Sequence, residues 1–240
     1  MTHALTYGVL AAGSLLVGAL LGIWRSWSPR VIGLILAFGA GALISAVAFE
    51  LAEEGLAVGG AAPVAIGLAL GALTFFLADR AVERWGARAD DSLAGSAGSG
   101  MPLALGALLD GIPEQVVLGI GLAAGGEVGL ALLVAIILSN LPEAIGAAAD
   151  LREAGRSRGF VVGLWAGVAA LCAAATMVGY LSADRAGGAV TAGIDGFAAG
   201  ALLVMIVDSM VPEAREKGGD TAGLATVAGF ALAAGLSLLS

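Results

Sequence analysis

Apolar stretches long enough to cross a bilayer, roughly 17–25 residues each, recur along this chain at about 4–24, 31–51, 61–79, 102–123, 128–149, 159–182, 189–211 and 221–239. A backbone surrounded by lipid must satisfy its own N–H and C=O groups, so only helices and closed barrels are open to it. A barrel would show short alternating segments, whereas these runs are continuous. The composition agrees: 12% of the residues are charged, against about 25% in a soluble domain. With 59% hydrophobic residues and 39 glycines, the helices can approach closely in a compact bundle. The expected fold is an all-α membrane protein of eight transmembrane helices, a single domain over residues 1–240. The longest polar stretch, about 79–100, ends in Ala94-Gly-Ser-Ala-Gly-Ser-Gly100 and reads as a cytoplasmic linker between spans three and four.

The distribution of positive charge orients these spans. Arg25, Arg30, Arg80, Arg84, Arg88, Arg152, Arg156, Arg158, Arg215 and Lys217 fall in alternate loops, and the opposite side has only Arg185. A split of ten to one puts the first set in the cytoplasm and both termini outside, in an inner (cytoplasmic) membrane. The N-terminus, MTHALTYG, lacks the positive region of a cleaved signal peptide, so the first apolar stretch is expected to stay as a helix. No basic stripe exists for nucleic acid. Cys172, the only cysteine, lies in an apolar run and reads as a small packed hydrophobe. His3 is the only histidine.

Two patterns recur. Phe38-Gly-Ala-Gly-Ala-Leu43 in span two resembles Phe197-Ala-Ala-Gly-Ala-Leu202 in span seven, 159 positions on. Gly67-Leu-Ala-Leu70 resembles Gly229-Phe-Ala-Leu232, 162 positions on, and Glu54 falls opposite Glu213. Members of each pair cross the membrane in opposite directions. The expected arrangement is therefore 3+2+3, an inverted repeat of helices 1–3 and 6–8 around helices 4 and 5.

Polar groups stand in the middle of the fourth and fifth spans, each set beside a proline: Asp110-Gly-Ile-Pro113-Glu114 and Ser139-Asn140-Leu-Pro142-Glu143. A carboxylate at the bilayer centre is expensive and marks an ion pathway, a relay or a site. Counted at 1.5 Å per residue from the cytoplasmic end, Asp110 and Glu114 lie roughly 12–18 Å in. The set from the fifth span reaches a similar depth. Asp110 and Glu114 share a helix face, as do Ser139 and Glu143. Pro113 and Pro142 free the carbonyls of Leu109 and Leu138, and a bound cation is one candidate partner for them. The bland alternative is that each Pro-Glu only kinks its helix while the carboxyls stay protonated and bonded to one another. Three carboxylates, an amide and a hydroxyl suit hard or borderline divalent cations. Glu50, near the outer end of span two, and Asp208, nearer the cytoplasmic end of span seven, are further pathway candidates. Each has an interfacial reading beside it.

These residues resemble the ZIP (zinc- and iron-regulated-transporter-like) family of metal permeases over most of the chain. The likeness is sharpest in helices four and five. Family members typically carry His-Asn-x-Pro-Glu-Gly where this chain has Asp110-Gly-Ile-Pro-Glu-Gln115. In the fifth helix they carry a His or Gln, an acid, x-Pro and a further ligand, where it has Ser139-Asn-Leu-Pro-Glu143. The resemblance implies that Asp110, Glu114, Ser139 and Glu143 form the main metal site and that Asn140 faces a second. The position of Asp208 is also often acidic in the family. Histidine is absent from the transmembrane region, and helix six offers no acid from Phe160 to Ser182.

The expected function is transport of a divalent metal cation (zinc, manganese or iron class), in the uptake direction, with no prosthetic group and no enzymatic activity. Glycine-rich faces allow a homodimer. A cation reaching such a site competes with protons for its carboxylates, so some proton linkage is expected. The rival readings are a non-conducting metal sensor or assembly protein, a carrier of another substrate, and an intramembrane aspartyl hydrolase using Asp110 and Asp208.

Overall fold

The computed structural model describes residues 2–92, 100–123, 130–183 and 187–237, and every regular element among them is helical. In order these are α1 (Thr2–Trp24), α2 (Pro29–Ala46), α3 (Glu53–Gly59), α4 (Ala61–Ser92), α5 (Gly100–Ala123), α6 (Leu130–Glu153), α7 (Arg158–Ala183), α8 (Gly188–Met205), α9 (Val211–Gly218) and α10 (Ala222–Ser237). Among the described residues, six segments are long and apolar enough to cross a membrane: Thr2–Trp24, Pro29–Gly59, Ala61–Val82, Leu132–Glu153, Arg158–Ser182 and Gly188–Ser237. Large apolar side chains cover the outside, among them Ile66, Leu224 and Val227. That surface suits lipid, and the chain is an all-α, multi-pass membrane protein.

Local chemistry sets the helix ends. Pro29 opens α2, where its missing N–H costs nothing. A π-helical turn, Val47–Ala52, joins α2 to α3, and a second, Ile206–Met210, joins α8 to α9. Each run then stops at a glycine with positive φ, Gly60 at 83° and Gly219 at 68°, where a side chain would be strained. The expected spans 31–51 and 189–211 are therefore too short. Hydropathy falls at their polar ends, but the helix persists until a glycine breaks it. The expected linker is corrected likewise. α4 continues through Ser92, because Asp79, Arg80 and Arg84 interrupt the apolar run without disfavouring helix. Residues 93–99 of that linker, and Arg185, lie outside the described residues.

Four long seams hold the bundle: α4 along α8, α2 along α10, α5 along α7 and α1 along α6. Glycine makes each of them. A Cβ built on Gly71 would stand 1.9 Å from the Phe197 carbonyl oxygen, and one on Gly229 1.9 Å from that of Phe38. On Gly119 it would stand 2.0 Å from the Thr176 oxygen, and on Gly22 2.4 Å from the Ile145 oxygen. Residue numbers rise together along each seam, as in Val64 against Gly196 and Leu68 against Gly200, so paired helices run parallel. Three features recur 159 positions apart: Phe38 and Phe197 at a seam, Val47 and Ile206 opening a π-turn, and Gly60 and Gly219 ending the run.

Candidate metal centre

α5 and α6, the expected fourth and fifth spans, remain helical through Pro113 and Pro142. Their polar residues meet in the interior. Glu114, Gln115, Ser139 and Asn140 are all buried. The Ser139 hydroxyl lies 2.7 Å from Glu114 Oε1 and 2.9 Å from the Ile136 carbonyl oxygen. One proton can serve only one of these acceptors at a time. Among the described residues Glu114 Oε2 has no hydrogen-bond partner, and Glu114 is only 2% exposed. An unpaired carboxylate oxygen in an apolar interior is costly, so this atom calls for a proton or a cation.

Asp110 stands one turn before Glu114, and Glu143 one turn after Ser139. Both are half-buried. The charge of Asp110 acts on Glu114 and on Glu143, and that of Glu114 on Glu143. All three carboxylates therefore lie in one electrostatic field. They do not form a closed ligand sphere: among the described residues, no three His, Cys, Asp or Glu side chains converge to hold a metal. Asn140 turns toward α1, its Nδ2 3.5 Å from the Ala11 carbonyl oxygen. The Leu138 carbonyl freed by Pro142 faces α2, where a Cβ on Gly39 would lie 3.0 Å from it. A weak C–H···O contact is thus the partner at hand for that oxygen.

The two outlying candidates sit elsewhere. Glu50, in the first π-turn, accepts a hydrogen bond from the Ser237 hydroxyl at 3.0 Å, which ties that turn to α10. Asp208 is exposed in the second π-turn, lining a groove between α4 and α8 with Leu73, Phe76 and Val204. The acids whose charge reaches Asp110 from other helices are Asp79 of α4 and Glu213 of α9, and Glu213 also reaches Glu143.

Two neighbours of the set escaped the sequence reading. Glu213 stood there only as the counterpart of Glu54. A π-turn carries an extra residue per turn, so a straight helical count through Ile206–Met210 assigns the wrong face to every residue beyond it. The other is Cys172 of α7. Its thiol would lie 2.9 Å from a Cβ on Gly111, and the charges of Glu114 and Glu143 reach it. Only tertiary packing brings it there; the glycine after Asp110 was the one local hint. No described protein family matches the chain, and no curated protein does either.

Proposed function

We propose that this chain is a divalent-cation permease of the inner membrane, with both termini outside, carrying its ion inward past Glu114, Asp110 and Glu143. The observation that carries this reading is Glu114 Oε2, a buried oxygen without a partner, inside the field of two further carboxylates. A cation there would satisfy an atom that the protein leaves unsatisfied. Oxygen donors suit manganese, iron(II) or zinc better than a soft metal. The resemblance to ZIP permeases in the two Pro-Glu segments points the same way, and the Lys and Arg distribution supports the orientation.

Eight spans in a 3+2+3 inverted repeat is the arrangement we favour. Exchanging the two repeats turns the α4–α8 seam into the α10–α2 seam and the α5–α7 seam into the α6–α1 seam. The recurrences at 159 positions support the same exchange. In transport, the ion sheds water as carboxylate and hydroxyl oxygens replace it. Rocking of the two three-helix repeats about α5 and α6 would present the carboxylates to either face in turn.

The test is a Glu114→Gln, Glu143→Gln double variant reconstituted in liposomes, with Mn2+ and Zn2+ flux measured. Flux should fall to the protein-free background. Undiminished flux would remove these carboxylates from the pathway.

A further inference from the structure

Resting on that reading of the central carboxylates, we propose that the ammonium of Lys217 is a built-in cation. It occupies Glu213 at the cytoplasmic end of the ion path until a departing divalent ion displaces it. Lys217 is the only lysine among the 240 residues; the other ten basic side chains are arginines. The distinction is chemical. Arginine presents a rigid fork that locks onto a carboxylate, whereas lysine is a compact point charge on a flexible stem, better suited to letting go.

The placement of this lysine is specific. Its Nζ lies 2.6 Å from Glu213 Oε1, one helical turn back on α9, with the side chains 29% and 38% exposed. The stem lies against α2, where a Cβ on Gly33 would stand 2.7 Å from Lys217 Cβ. The ammonium reaches α6, where a Cβ on Gly146 would stand 3.4 Å from Nζ. Gly146 is three residues past Glu143 and carries no side chain to bar the way. Lys217 therefore runs from α9 past α2 to α6. Its ammonium ends about one helical turn along α6 from Glu143.

The opposite end of the molecule lacks this device. Counting back 159 positions, Glu213 corresponds to Glu54 and Lys217 to Val58. The outward copy of the motif thus keeps its acid and has no ammonium. An ion arriving from outside meets acids alone, and one leaving toward the cytoplasm must compete with Lys217. The neighbouring Arg215–Asp220 pair, 62% and 98% exposed, is an ordinary solvated contact by comparison.

Because Lys217 is the only side-chain amine, its state can be read without mutation. The purified full-length protein is treated with an amine-acylating reagent, with and without Mn2+, and modification of Lys217 is followed by peptide mass. Metal content is measured on the same samples. Mn2+ filling the central site should speed acylation about tenfold, a typical size for coupled sites. Glu213→Gln should acylate at that faster rate whether or not Mn2+ is present. A wild-type rate that stays constant while Mn2+ binds would overturn the role of Lys217 and leave the central site standing. Failure of both Mn2+ and Zn2+ to bind would overturn the central-site reading, and this one with it.

Discussion

The α4–α8 seam and the α5–α6 pair are both helix contacts inside one apolar chain, and they are built in opposite ways. Along α4–α8, glycine brings backbone onto backbone, as where Gly71 meets the Phe197 carbonyl. Between α5 and α6 the contact runs through polar side chains, with Ser139 bonding one oxygen of Glu114 and leaving the other without a partner. In lipid there is little hydrophobic gain from joining two helices, so close packing must supply the cohesion. A region held that way has no freedom to open. The region left with an unsatisfied oxygen has a reason to take up a proton or an ion.

The strongest break in this comparison is at the seam. Gly71→Leu forces a side chain into space already held by backbone and should cost more than about 3 kcal/mol, beyond ordinary overpacking. Gly163→Ala, where a Cβ meets nothing within 4 Å, should change stability by less than about 0.5 kcal/mol. Unfolding of the purified variants in mixed detergent micelles, followed by circular dichroism, measures both. Equal stability of the two would mean that the seams do not hold the bundle. The next effect sharpens the polar side. Ser139→Ala removes the donor from Glu114 Oε1 and should weaken Mn2+ binding by about tenfold or less, the equivalent of one hydrogen bond at about 1 kcal/mol. Titration calorimetry reads it directly, and an unchanged affinity would take Ser139 out of the site. Smallest of all should be Asp208→Asn. Its side chain faces the outer groove, so Mn2+ flux in liposomes should stay within error of wild type. A large loss there would return Asp208 to the pathway.

Much of this was legible in the residues. Continuous apolar runs and scarce charge gave the all-helical membrane class, because lipid leaves so few backbone solutions. The Pro-Glu segments around Glu114 and Glu143 stood out because charge in that setting demands a reason. Helix ends were harder. Hydropathy marks where lipid stops and not where a helix stops, and Gly60 and Gly219 decide the latter. The turns at Val47–Ala52 and Ile206–Met210 were invisible, since nothing in Val-Ala-Phe-Glu-Leu-Ala or Ile-Val-Asp-Ser-Met announces a wider turn. Asp208, read as a pathway or interfacial acid, lies exposed within the second of these turns. Cys172 approaches the carboxylates through Gly111 of a different helix, a relation that no local pattern encodes.

The most direct test of the central claim is to locate the ion. Crystals grown with Mn2+, examined by anomalous scattering, should give a peak at coordination distance from Glu114 Oε2, with Asp110 or Glu143 drawn in to share it. Strong peaks confined to surface acids such as Glu53 or Asp220, with the space beside Glu114 empty, would contradict the account.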